Sequence, residues 1–125
     1  MSEGKGNAMV MAAAILLVSL LLQCSPAHSA NYTVGDSAGW DFDVAGWENG
    51  KNFKAGDTLV FNYDNNAHNV VVVDKSSYDS CSVPANAKTY VSGNDQLILA
   101  KGANYFICGI PQHCESGMKI DAHAA

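Results

Sequence analysis

Arginine is absent from this chain. Its seven basic residues are all lysines, against twelve Asp and Glu, for a formal charge of −5. No basic stripe stands ready to neutralise phosphates, which excludes nucleic acid as an expected partner. With only three prolines, no internal repeat and no low-complexity tail, the chain has no linker to divide it. A run of about 20 apolar residues, the length that crosses a bilayer, is missing too. The longest, Ala8 to Leu22, falls short and is interrupted by Ser19.

That run has Lys5 before it and the small residues Ala27 and Ser29 after it, the order of a cleaved secretory leader. The expected leader is 1–29, cut after Ser29; a cut after Ala30 would put the bulkier His28 at a small-residue position. An uncleaved anchor or a buried helix suits its length and position less well. Residues 30–125 then form one small domain. Seven residues follow Met118, too few for the polar spacer and apolar tail of a glycolipid anchor. A soluble, secreted monomer without a membrane anchor is expected.

Cysteine is scarce and its count is odd where it matters. Of four, Cys24 departs with the leader, which delivers Cys81, Cys108 and Cys114 to an oxidising compartment. Three thiols make one disulfide and one survivor.

Gly, Asn and Asp punctuate short apolar stretches along the domain, the rhythm of an all-β sandwich or barrel. Strands are expected at Tyr32–Val34, Thr58–Tyr63, Val70–Val73, Gln96–Leu99, Tyr105–Cys108 and Met118–Asp121. Leu59, Phe61 and Tyr63 share one face of the second. Val70–Val73, an unbroken β-branched run, reads as buried on both faces. Residues 37–50 read as loop, with Trp40 and Trp47 capping the core. Residues 74–81 read as loop or a single helical turn, and Ala100–Ala103 as a turn.

Chemistry concentrates in the run Cys108-Gly-Ile-Pro-Gln-His113-Cys114-Glu-Ser-Gly-Met118, with a second imidazole upstream at His68. A thiolate, two imidazoles and a thioether are the donors of a blue-copper electron-transfer centre, a trigonal His₂Cys plane with a weak axial Met. A rigid pocket acceptable to both Cu(II) and Cu(I) changes little on electron transfer, and strand ends supply the stiffness. Pro111 restrains the loop, and Gly109 and Gly117 are expected to permit sharp turns at its ends. Asn69 is expected to brace the loop by hydrogen bonds behind the ligands.

Each residue alone has a plainer reading. A single His beside an apolar strand is more often structural, and Met118 by itself is ordinary core filler. His123 stands outside the set, near a loose-looking end. If Cys108 holds the metal, Cys81 and Cys114 are left to pair. If Cys108 is half of a bridge, Cys81 or Cys114 is left over instead, and His68, His113 and Met118 go unexplained. A thiol enzyme with Cys108 as nucleophile also leaves Met118 without a role. Zinc suits the thioether less well than copper does. Asn31-Tyr-Thr33 matches the N-glycosylation signal of a secreted chain.

Gly56-Asp-Thr-Leu-Val-Phe-Asn-Tyr63, His68-Asn-Val-Val-Val-Val73 and Tyr105-Phe-Ile-Cys-Gly-Ile-Pro-Gln-His-Cys-Glu-Ser-Gly-Met-Lys-Ile120 resemble the phytocyanins of plants, and within them the plantacyanins, or basic blue proteins. The likeness runs from Tyr32 to the last strand. It implies a cupredoxin-like Greek-key β-barrel or sandwich with one type 1 copper at one end. It also implies His68, Cys108, His113 and Met118 as ligands, a Cys81–Cys114 disulfide, and an apoplast or cell-wall location. Methionine at 118 separates the chain from stellacyanin-like members, which carry glutamine there. Plantacyanins are usually basic and this chain is acidic, so the resemblance carries no charged partner surface across.

The expected function is single-electron, outer-sphere transfer by a secreted copper protein that is not an enzyme, with a redox partner the sequence does not identify. The alternative is an extracellular signalling or wall-associated protein of plant reproduction or guidance, in which copper is structural or incidental.

Overall fold

The computed structural model describes residues 28–125, so the expected leader lies outside the described residues except for His28 and Ser29. Among the described residues the strands are β1 (Asn31–Thr33), β2 (Thr58–Asn62), β3 (Val70–Val73), β4 (Lys88–Tyr90), β5 (Asn94–Ile98), β6 (Gly102–Ile107) and β7 (Lys119–Ala124). One helix, α1 (Lys75–Ser80), and a 3-10 turn at Asp36–Ala38 complete the set. The fold is all-β: a three-stranded sheet in the order β1-β2-β5 and a four-stranded one in the order β4-β3-β6-β7.

Side-chain alternation decides which way each strand faces. In β2, Leu59 and Phe61 are fully buried while Asn62 is exposed. They join Val34 and Trp40 from the segment after β1, and Val70, Phe106 and Ile120 from the larger sheet, in one core. Trp40 closes that core edge-on against Phe61, and Trp47 packs half-buried at its margin. A second cluster covers the outer face of the larger sheet, where Val71, Ile107 and Cys114 meet Tyr78, Cys81 and Ala87.

Several elements differ from the sequence expectation. Val70 and Val71 are buried on opposite faces, but Val72 is 36% exposed and belongs to neither cluster. A β-branched run reports strand preference; how far the covering layers extend is set elsewhere. β4 is a polar edge strand with no apolar alternation to reveal it. β6 starts at Gly102, inside the expected turn, because its partner β7 continues to Ala124 and pairs it there. His123 is therefore on a paired strand, opposite Ala103, and not at a loose end. Residues 74–81 form the helical turn: Asp74 caps α1 by accepting from the Ser77 N–H at 2.9 Å.

Strand direction sets where chemistry can gather. β2 runs up to Asn62, which pairs with Asn94 at the start of β5; β6 runs up to Ile107, which pairs with Lys119 at the start of β7. The loops 63–69 and 108–118 leave these strands and meet at one end of the sandwich.

Candidate metal centre

Cys108 directly follows β6, and its N–H donates to Met118 O at 3.0 Å, so the two residues face each other across the mouth of the loop. Inside it, successive turns hold the chain. His113 N–H donates to Ile110 O at 3.1 Å, Gly117 N–H to Cys114 O at 3.0 Å, and Met118 N–H to His113 O at 3.1 Å. Gly117 has a φ of +95°, which glycine adopts without penalty. Gly109 is needed for a different reason from the expected turn. Its φ is ordinary, but a Cβ there would lie 2.8 Å from Val71 Cγ2.

His68 arrives from the other loop, its N–H donating to Asp64 O at 3.0 Å. Asn69 joins the loops: its Oδ1 accepts from the Gly109 N–H at 2.6 Å, and its backbone O accepts from Trp40 Nε1 at 2.9 Å. Just past the end of β2, Tyr63 donates its hydroxyl proton to Asp95 on β5. Burial first, and then that hydrogen bond, push the Tyr63 phenol up to about 12, so it stays protonated.

The side chains converge. His68 Nδ1 and His113 Nδ1 are 3.1 Å apart, and Cys108 Sγ lies 4.0 Å from the first and 3.5 Å from the second. His68 is nearly buried, Cys108 is 1% exposed, and His113 is half-buried. Met118 is fully buried in the same core as Cys108. Cys108 carries a free thiol, and Cys81 is bonded to Cys114 with a Cα–Cα distance of 5.6 Å. Asn31 is exposed, on β1.

Two residues of the 37–50 loop enter the site without any signal in their sequence spacing. Asp41 Oδ1 stands 3.4 Å from His68 Nε2. The ring of Phe42 lies edge-on to both imidazoles, 5.3 Å from His68 and 4.7 Å from His113 between centroids. A Gly- and Asp-rich stretch so far upstream reads as solvent loop, and only the fold turns it over the histidines.

The donor set can be tested against a metal. First-row ions such as zinc bind imidazole at about 2.0–2.1 Å and thiolate at about 2.3 Å, so donors sharing one ion lie about 3–4 Å apart. The three measured gaps fall in that interval. Two nitrogens, a thiolate sulfur and a buried thioether nearby suit copper by softness. Both histidines turn Nδ1 inward, so with a metal held between them each Nε2 would carry the ring proton.

Comparison with known proteins gives the family. The plastocyanin-like domain family matches residues 37–118. A basic blue protein of Arabidopsis thaliana is 52% identical over 124 residues, covering 96% of each chain. A chemocyanin of Lilium longiflorum is 44% identical over the full length of both. The solved structure of cucumber basic protein, a blue copper protein, is 53% identical, with a TM-score of 0.75 over 76% of this chain and 99% of its own.

Proposed function

This chain belongs to the phytocyanin family of blue copper proteins, and we propose that it is a secreted carrier of single electrons whose His68, Cys108, His113 and Met118 hold one copper ion. Bound copper supplies a Cu(II)/Cu(I) couple, taking one electron from a donor and returning one to an acceptor, with no bond made or broken in either partner. The observation that carries the reading is the meeting of two imidazole nitrogens and one free, buried thiol within 4.8 Å of one another.

The protein's residues do three things. The strand ends and the Asn69 bonds fix the donors, so little has to move when charge changes. Burial of Cys108 and Met118 keeps water from the sulfur side. Half-exposed His113, with Ile110 half-buried and Pro111 exposed beside it, offers a port and an apolar contact for a partner.

Charge supports a cationic partner. The segments 34–47, 63–69 and 108–118 carry Asp36, Asp41, Asp43, Asp64 and Glu115 and no lysine. A hydrogen bond just before β1 supports removal of the leader after Ser29. Ala30 N donates to Asp57 Oδ1 at 2.9 Å, so a new α-ammonium at Ala30 would meet a buried carboxylate. Among the described residues no helix is long and apolar enough to cross a membrane.

The test is optical. Copper-loaded protein is expected to show intense visible absorption from Cys-to-Cu(II) charge transfer, and Cys108→Ser to abolish it. A Ser variant that stays blue refutes the assignment. Reduction of the blue form by a one-electron donor, and its return with a one-electron acceptor, tests the carrier role.

A further inference from the structure

His68 Nε2 points away from the other donors and toward Asp41. That carboxylate is 56% exposed, a setting in which a side chain normally wanders. Here it is held. The oxygen that faces His68, Oδ1, also accepts from the Phe42 backbone N–H at 2.8 Å. The adjoining Phe42 ring, 46% exposed, leans edge-on against both imidazoles. The dipeptide Asp41-Phe42 thus lies over the outer side of the histidine pair, with its charge beside one ring and its aromatic edge across both.

We propose that Asp41 is a positioning residue of the copper centre, which keeps the His68 ring proton on Nε2, presents the Nδ1 lone pair to the metal and lowers the reduction potential. The proposal rests on the copper reading above. A carboxylate 3.4 Å from Nε2 favours the tautomer protonated there, because the opposite tautomer would set a lone pair against the negative oxygen. The same charge stabilises the more positive metal state, so it favours Cu(II) over Cu(I). Partners behind a ligating histidine typically change metal affinity 10–100-fold. Solvent around Asp41 screens part of its charge, so about threefold is expected.

The experiment compares Asp41→Asn and Asp41→Ala with the unaltered protein at neutral pH. Two readouts are taken: ¹⁵N chemical shifts of the His68 ring in metal-free protein, and the potential of the copper-loaded form. Asparagine keeps an acceptor oxygen but no charge, so it should keep the Nε2–H tautomer while the potential rises. The rise corresponds to the threefold loss of Cu(II) preference, about 28 mV at 59 mV per tenfold for one electron. Alanine should raise the potential as much and also let the tautomers mix. A purely structural role would change unfolding midpoints and leave both readouts alone. An alanine variant with unaltered tautomer and potential overturns the proposal. If the unaltered protein binds no copper, the function reading fails, while the metal-free spectra still decide whether Asp41 sets the ring.

Discussion

The side-chain oxygen of Asn69 accepts the backbone N–H of Gly109 at 2.6 Å, across 40 positions of sequence. This bond ties the residue after one imidazole to the residue after the thiol. Since Trp40 Nε1 donates to the Asn69 carbonyl at 2.9 Å, the same residue also anchors the start of the loop that covers the site. The spacing between His68 and Cys108 is thereby fixed from behind.

Asn69→Ala should leave the partly buried Gly109 N–H without its acceptor. The expected loss is about 1–3 kcal/mol of stability, read by urea denaturation of metal-free protein. A weaker or shifted visible band should follow in the copper form. An unchanged denaturation midpoint and spectrum would remove Asn69 from the bracing role.

At Gly109 the constraint is space. A Cβ would come within 2.8 Å of Val71 Cγ2 and 3.2 Å of Asn69 Oδ1. Because Val71 is fully buried in the close-packed second cluster, it has little room to yield. Gly109→Ala is expected to cost about 1–3 kcal/mol as overpacking does. Thermal unfolding is the check, and a variant as stable as the parent would show that Val71 relaxes freely.

The Cys81–Cys114 bridge closes a loop with a sequence separation of 33. Replacing both cysteines by alanine should lower stability by about 3–4 kcal/mol on the chain-entropy estimate. Cys114 adjoins His113, so the copper form should also bind its ion less tightly. Calorimetry of the metal-free and copper-loaded variants separates the two effects. Equal melting temperatures with and without the bridge would contradict the estimate.

Asp57 gives the pH dependence. Backbone N–H bonds from Ala30 and then Lys54, with the Lys54 charge assisting and burial opposing, hold its carboxyl below the ordinary carboxylate value. A depressed folded-state value means the ionised form favours folding. That contribution is complete above the unfolded chain's value and is lost as pH falls through the folded one. Asp57→Asn should therefore be less stable than the parent at neutral pH, with the difference shrinking on acidification. A constant difference across the acid range would rule out this linkage. A mature chain beginning at Ala30 should also lose stability when its α-amine is acetylated.

The sequence by itself determined the donor types and most of the framework. Leu59 and Phe61 alternate with polar neighbours, and alternation maps directly onto the two faces of a strand. Cys108, His113 and Met118 are close in sequence, within one loop, so a short connection had to hold them near each other. With the expected leader removed, three cysteines would remain, and an odd count in an oxidising setting calls for one occupied thiol. Structure alone decided matters that depend on contact between distant segments. Which sulfur remained free was settled by where residue 81 packs, beside Cys114 on the outer sheet face. The polar strand β4 and the Gly102 start of β6 exist because neighbouring strands offer them hydrogen bonds, a fact no local pattern carries. Asp41 and Phe42 reach the histidines because Trp40, just before them, is pinned into the core and bonded to Asn69. Local chemistry is written in residue spacing; which surfaces come to lie against it is a property of the closed chain.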